Sequence, residues 1–206
     1  MVGLLAATLL MAASAPQLLA VLRGDGHGVS LFSWILFLTS GTVWLVFGIQ
    51  LDSLALILGN VAGVLAYMLL VGAIIWKRRR RVWLSALVVP AVVAVAAVAY
   101  VAPAELVGWV GVVIGVVLAV PQLVSSIHNW RHREPSDVSL WTWGMVLVGQ
   151  ALWLSYGVML GEPTVIVVNV LSASAGVGVV VFEIRNRHSL AVTPRTAAPE
   201  LLIGGS

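Results

Sequence analysis

Long apolar runs separated by short polar breaks set the organisation of this chain. Most runs are about 20 residues long, the length an α-helix needs to cross roughly 30 Å of hydrocarbon. They predict seven helices, over residues 2–22, 29–50, 53–76, 82–102, 105–127, 137–160 and 163–184. Within the runs apolar and polar residues do not alternate, which argues against a β-barrel. Two breaks are very short, Leu51-Asp52 and Gly161-Glu162. Breaks of that length join antiparallel neighbours, so the second and third helices pair, as do the sixth and seventh.

The same pattern of positions occurs twice. Pro16-Gln17 returns as Pro121-Gln122, and Val29-Ser30-Leu31 as Val138-Ser139-Leu140. Trp44-Leu45-Val46-Phe47-Gly48 returns as Trp153-Leu154-Ser155-Tyr156-Gly157. An Asn lies 16 positions beyond each Trp, Asn60 and Asn169. Self-similarity at a fixed period sets the architecture before any local reading. The plan is three helices, a linker helix, three helices. A triple crosses the membrane an odd number of times, so two triples joined directly would point in opposite directions. The fourth span, 82–102, restores parallel orientation; it contains Pro90 and has no counterpart in either triple. The expected division is 1–76 for the first repeat, 77–104 for the basic loop and linker helix, 105–185 for the second repeat, and 186–206 for a disordered tail rich in Pro, Thr and Ala.

Composition agrees with a membrane protein and excludes an ordinary soluble domain. The chain is 61% hydrophobic and 9% charged, with a mean hydropathy of +1.07, whereas soluble domains carry about 25% charged residues. There is no Cys, so thiolate and disulfide chemistry are excluded. Met1-Val2-Gly3 lacks the basic start of a signal peptide, and the first span is read as a retained helix despite Ala12-Ala13-Ser14-Ala15.

Charge sets the orientation. With the N-terminus outside, all 11 basic residues fall on the inner side: Arg23, the run Lys77 to Arg81, Arg131, Arg133, Arg185, Arg187 and Arg195. The outer turns hold Asp52, Glu105 and Glu162 and no basic residue. Positive residues stay cytoplasmic because they resist translocation, which places the C-terminus inside. The run 77–81 is then a topology signal in contact with lipid headgroups, and no nucleic-acid partner is expected. One Lys against ten Arg goes with a GC-rich genome, and a multi-pass protein of the plasma membrane, in a bacterium the inner membrane, is expected.

Depth picks out a candidate site. Trp44 lies eight residues before Asp52 and Asn60 eight after it; Trp153 and Asn169 are centred in the same way on Gly161. At a rise of about 1.5 Å per residue each of the four sits roughly 12 Å below the outer turns. Two parallel repeats related by an axis along the membrane normal would bring all four to one depth and one cavity. An indole face stacks on the C–H face of a sugar ring. An Asn amide offers two donors and two acceptor lone pairs, which suits neighbouring hydroxyls. A neutral polyhydroxylated ligand therefore fits.

What is missing narrows the chemistry. No Asp, Glu, Lys or Arg lies in mid-span, and proton-coupled carriers normally need an ionisable relay in the membrane. His27, His128, His132 and His188 all fall in loops or the tail. No metal site, cofactor motif or nucleophile–base pair is present, and an enzyme is not expected. Pro16 and Pro121 lie near the inner ends of their helices, where each frees a carbonyl and lets the helix bend. At matching places in both repeats they are candidate hinges for an inner gate, with Gln17 and Gln122 available to the freed backbone. Gly59-x-x-x-Gly63 and Gly111-x-x-x-Gly115 suit close helix packing.

These residues resemble the SWEET sugar facilitators within the PQ-loop proteins. The Pro-Gln pair marks the broad superfamily. The Trp-Leu-x-aromatic-Gly segment with its following Asn is more specific and is similar to bacterial SemiSWEETs, which carry one triple per chain; here two are fused. The resemblance implies that Asn60 and Asn169 contact sugar, that Trp44 and Trp153 flank it, and that Pro16 and Pro121 hinge the inner gate. It also places Tyr156 with Glu162, and Phe47 near Asp52, at an outer gate. The first copy departs, with Phe47 for a Tyr and Asp52 shifted by one against Glu162. Spans 29–50 and 137–160 also lack the prolines of eukaryotic members.

The leading expectation is a uniporter that moves mono- or disaccharides by alternating access in the lipid bilayer. The alternatives are a proton-coupled PQ-loop amino-acid carrier using Asp137, similar to the lysosomal cystine exporter, and a receptor that binds without transport. Association into a homo-oligomer stays open, as does the identity of the sugar.

Overall fold

The computed structural model describes Gly3, Leu5 and residues 31–78 and 82–192. Six helices follow one another there: α1 Leu31–Gln50, α2 Leu54–Arg78, α3 Val82–Val101, α4 Ala104–His132, α5 Leu140–Leu160 and α6 Pro163–Val192. Gly3 and Leu5 are helical, and the rest of the expected first span lies outside the described residues, with Pro16 and Gln17. Residues 79–81 of the basic run and the tail from 193 also lie outside them.

The protein is an all-helical, multi-pass membrane protein. Five helices are long and apolar enough to cross a bilayer, and α3 contributes a shorter apolar stretch, Leu87–Val101. Large apolar side chains lie bare on the flanks, among them Phe32, Leu69, Val113 and Val177. In water such a surface would drive association; against acyl chains it is the expected outer face.

The two short turns are built alike. Ser53 N–H donates to Gly48 O at 2.9 Å and Glu162 N–H to Gly157 O at 3.0 Å. The residue before each is left-handed, Asp52 at φ 50° and Gly161 at φ 74°. This accounts for the one-residue shift of Asp52. It occupies the left-handed position that Gly161 fills in the second copy, a conformation Asp tolerates better than most residues. Ser53, not Asp52, takes the place of Glu162.

Each turn can be this tight because the two helices approach closely just beneath it. A Cβ added at Gly48 would lie 2.7 Å from Leu56 Cβ, and one at Gly157 would lie 2.9 Å from Val165 Cγ1. The closing glycine of each aromatic motif is thus a contact point between helices.

Within the second triple α6 packs against both α4 and α5. In the first, α1 packs on α2 and reaches across to α3 and α4. The linker helix α3 is tied to α1 by Gln50, whose Nε2 donates to the carbonyls of Ala99, Tyr100 and Ala102 at 3.2, 3.3 and 2.9 Å. These belong to the end of α3, where carbonyls have no partner within the helix.

Two apolar clusters result. One joins α1 and α2 around Trp34, Leu70 and Ile74. The other sits beneath the short turns and spans both repeats and α3, with Val46, Phe47, Leu56, Ala99, Val107, Trp153 and Val165.

Two helices run further than the hydropathy pattern predicts, α4 to His132 rather than 127 and α6 to Val192 rather than 184. Residues 186–192, expected to open a disordered tail, are helical. The reason is a set of side-chain ties to the α4–α5 connection. Asn186 Nδ2 donates to Glu134 O at 2.8 Å and Arg187 Nη2 to Val138 O at 2.6 Å. Arg187 is held by Glu183 Oε1 at 2.8 Å, and Glu183 is 1% exposed. Glu183, expected at a span end, is therefore buried within α6. Arg133, left-handed at φ 55°, caps α4 by donating its N–H to Asn129 O.

Candidate substrate site and gates

The residues singled out by the repeat take up matched geometry. Trp44 meets Phe47 edge-on, with centroids 5.6 Å apart and planes at 78°. Trp153 meets Tyr156 at 5.7 Å and 81°. Residues three apart on a helix are neighbours, so each Trp-Leu-x-aromatic motif presents its two rings on one face. On the partner helices Asn60 Nδ2 donates to Leu56 O at 2.8 Å, and Asn169 Nδ2 to Val165 O at 2.7 Å. One amide hydrogen of each Asn fixes its rotamer on its own helix. Neither amide oxygen accepts a hydrogen bond from a described residue.

The aromatic rings belong to one cluster that crosses between the repeats. Trp44, Phe47, Trp153 and Tyr156 share it with Leu56 and Val165, the residues whose carbonyls orient the two Asn side chains. Trp44 lies on the other repeat's α4, since a Cβ at Gly111 would be 2.8 Å from Trp44 Cε2. Gly115 faces Val168 of α6 in the same way, at 2.7 Å, so the Gly111–Gly115 pair does allow close packing. Gly63 meets only Tyr67 of its own helix.

Beneath the short turns the crossing is reciprocal. A Cβ at Gly108 would lie 2.9 Å from Thr164 Cγ2 of its own repeat and 3.0 Å from Phe47 Cε2 of the other. A Cβ at Gly3 would lie 2.6 Å from Ala55 Cβ of its own repeat and 3.2 Å from Tyr156 Cδ2 of the other. Gly3 and Gly108 are as far apart in sequence as Pro16 and Pro121; Ala55 and Thr164 are as far apart as Trp44 and Trp153. Each aromatic therefore packs over the first helix of the opposite triple.

One polar contact accompanies this crossing. Tyr156 Oη and Ser53 Oγ are 2.7 Å apart, which links the α1–α2 turn to α5. Ser53 also accepts from Leu56 N–H at 3.3 Å, as the N-cap of α2. Phe47 has no hydroxyl and makes no equivalent bond; it is 1% exposed and held by packing. Ser53 makes a contact between the repeats that the sequence pattern passed over, although it stands in register with Glu162. Asp52, expected at the gate, is exposed on the turn.

At the opposite end, Pro121 lies inside α4, which continues past it to His132. Gln122 makes no side-chain hydrogen bond to a described residue. Two cavities open elsewhere. One, of about 380 Å³, is an apolar groove between α1, α3 and α4 lined by Val43, Ala99 and Val107. The other, of about 280 Å³, lies beside the second short turn, between Phe47, Glu105, Trp109, Glu162 and Thr164. Neither is lined by Trp44, Asn60, Trp153 or Asn169. Among the described residues no cluster of His, Cys, Asp and Glu could hold a metal ion.

No protein-family model matches the chain, and no curated protein matches it. Among solved structures, a eukaryotic SWEET transporter superposes with a TM-score of 0.76 at 15% identity, over 90% of this chain and 94% of that one. This chain has the fold of a SWEET transporter. The resemblance carried by the Trp, aromatic, Gly and Asn positions thus holds at the level of the fold, across an identity too low to show it.

Proposed function

We propose that the protein is a passive, bidirectional sugar uniporter working by alternating access around Trp44, Asn60, Trp153 and Asn169. The observation that carries this reading is the repeated geometry: two edge-on aromatic pairs that share one cluster between the repeats, and two Asn side chains fixed in the same way on the carbonyls of Leu56 and Val165, which belong to that cluster. The shared fold with a SWEET transporter supports it. Flat aromatic faces and uncharged amides suit a mono- or disaccharide.

Seven helices arranged 3+1+3, the N-terminus outside and the C-terminus in the cytoplasm complete the architecture, in a plasma membrane. On that orientation the short turns face out. Tyr156 with Ser53 and Glu162, and Phe47 near Asp52, form the outer gate. Pro16 and Pro121, with Gln17 and Gln122, form the inner hinge. Closure of the outer side rests on the Tyr156–Ser53 hydrogen bond and on Phe47 packed over Gly108.

The test is uptake of radiolabelled glucose and sucrose into proteoliposomes, with and without an imposed pH gradient. Saturable uptake indifferent to the gradient is expected, and it should disappear in Asn60→Ala and Asn169→Ala while the proteins still insert. Normal uptake in both variants would remove the central site. Flux that appears only with the gradient would replace the uniporter by a proton-coupled carrier.

A further inference from the structure

We propose that the central site has a second tier, one helical turn further from the short turns, which holds the second ring of a disaccharide. It rests on the sugar-uniporter reading and names the sugar class that the reading leaves open. Tyr67 marks the tier on α2. Its ring packs against Trp34 and Phe37 of α1, with centroids 5.8 Å away in both cases. The end that carries the hydroxyl reaches back over two glycines. A Cβ added at Gly63 would lie 3.5 Å from Tyr67 Cε2 and 3.9 Å from Cζ, and one at Gly41 would lie 3.6 Å from Cε2. Gly63 is three residues past Asn60 on α2, and Gly41 three before Trp44 on α1. The phenol end therefore sits one turn, about 5 Å, beyond the level of Trp44 and Asn60.

The second repeat supplies two polar side chains at the matching level. Gln150 stands where Gly41 stands, three residues before Trp153, and Ser172 stands where Gly63 stands, three past Asn169. The exchange runs both ways, since Gly176 stands where Tyr67 stands, and Trp143 and Leu147 fill the space beside it. All three polar side chains turn away from lipid. Residues two apart on a helix point to opposite sides. The exposed neighbours at that spacing are Leu65 and Leu69 about Tyr67, Val148 before Gln150, and Val170 before Ser172.

None of the three is satisfied from within the protein. Tyr67 Oη, the Gln150 amide and Ser172 Oγ make no hydrogen bond with a described residue. Unlike the hydroxyls of Thr164 and Ser126, which packing seals off, these groups keep open surface. Ser155 of α5 and Ser174 of α6, both exposed, donate to the carbonyl four residues back; Ser172 does not. A phenol, an amide and a hydroxyl, uncharged and open, both donate to and accept from sugar hydroxyls. The step between the tiers, about 5 Å, matches the step from one ring to the next in a disaccharide. A monosaccharide held by Trp44, Asn60, Trp153 and Asn169 would leave the second tier without partners.

Initial uptake rates into proteoliposomes of the full-length chain, measured over a range of sucrose and of glucose concentrations, test this. The wild type should show a KM for sucrose about tenfold or more below that for glucose, as two added neutral hydrogen bonds allow. Tyr67→Phe and Gln150→Leu should each raise the sucrose KM about fivefold and leave the glucose KM and both kcat values unchanged. Tyr67→Phe keeps the ring beside Trp34 and Phe37, and glucose uptake reports on folding in the same vesicles. Equal changes for the two sugars in both variants would make the residues structural and refute the second tier. A sucrose preference that survives both substitutions would place the second ring elsewhere and equally refute it. Equal KM values for the two sugars in the wild type, or uptake of glucose without sucrose, would refute the tier and leave the uniporter standing. A chain that moves neither sugar would remove both readings.

Discussion

Tyr156 Oη lies 2.7 Å from Ser53 Oγ, and this bond joins the two repeats at the level of the short turns. It has no twin, since Phe47 occupies the place of Tyr156 in the first copy. The two repeats are therefore joined beneath the short turns by a hydrogen bond on one side and by apolar packing on the other.

Removing that bond should loosen the outer side. A net hydrogen bond is worth about 1 kcal/mol, so Tyr156→Phe or Ser53→Ala should raise the outward-open population about fivefold. The chain has no Cys, so a single Ala104→Cys reporter can be labelled with an impermeant maleimide. Labelling should speed up about fivefold in either variant, and labelling at the wild-type rate in both variants would show that the bond does not hold the gate.

The motif glycines should not tolerate a methyl group. Gly48→Ala and Gly157→Ala would drive a Cβ into Leu56 and Val165, at an overpacking cost of about 1–3 kcal/mol. Gly144→Ala is the control, because nothing lies within 4 Å of its Cβ. Thermal unfolding in detergent should show a loss for the first two and none for the third; three equal responses would contradict the close approach.

The ties at the far end of α6 should matter for stability. Arg187→Ala would leave the buried carboxylate of Glu183 without its charged partner and free the Val138 carbonyl. A loss of about 1.5–3 kcal/mol is expected. Glu183→Met combined with Arg187→Met should recover much of it, since a buried pair replaced by apolar side chains is often neutral. A double variant as unstable as Arg187→Ala would argue that the Val138 bond, not the orphaned charge, is what counts.

Replacing Pro16 or Pro121 by Ala should slow transport more than it weakens sugar binding. Turnover in proteoliposomes and binding in nanodiscs, measured on the same variants, separate the two. Parallel losses in both would make the prolines ordinary structural residues.

Much of this was legible in the order of the residues. Hydrophobic runs long enough to cross a bilayer, with charges confined to the breaks, mark a polytopic helical protein because lipid tolerates neither unsatisfied backbone nor bare charge. The doubled motif picked out the members of both edge-on pairs, Trp44 with Phe47 and Trp153 with Tyr156, because positions three apart share a helix face. It also marked Gly48 and Gly157, whose role as contact points follows from lying just beneath a short turn.

Tertiary structure decided the rest, because a partner on another helix leaves no trace in local spacing. That Phe47 packs over Gly108 and Tyr156 over Gly3, each on the opposite triple, depends on how the triples face one another. Nothing in the spacing marked Ser53, and α5 brings the Tyr156 hydroxyl to it. Asn186 and Arg187 read as the start of a tail, yet their anchors, the carbonyls of Glu134 and Val138, lie 52 and 49 residues away on a connection that only packing brings close. Hydropathy determines which segments enter the membrane. Which side chains meet there is set by helix-to-helix contact, and the pattern along one helix does not contain it.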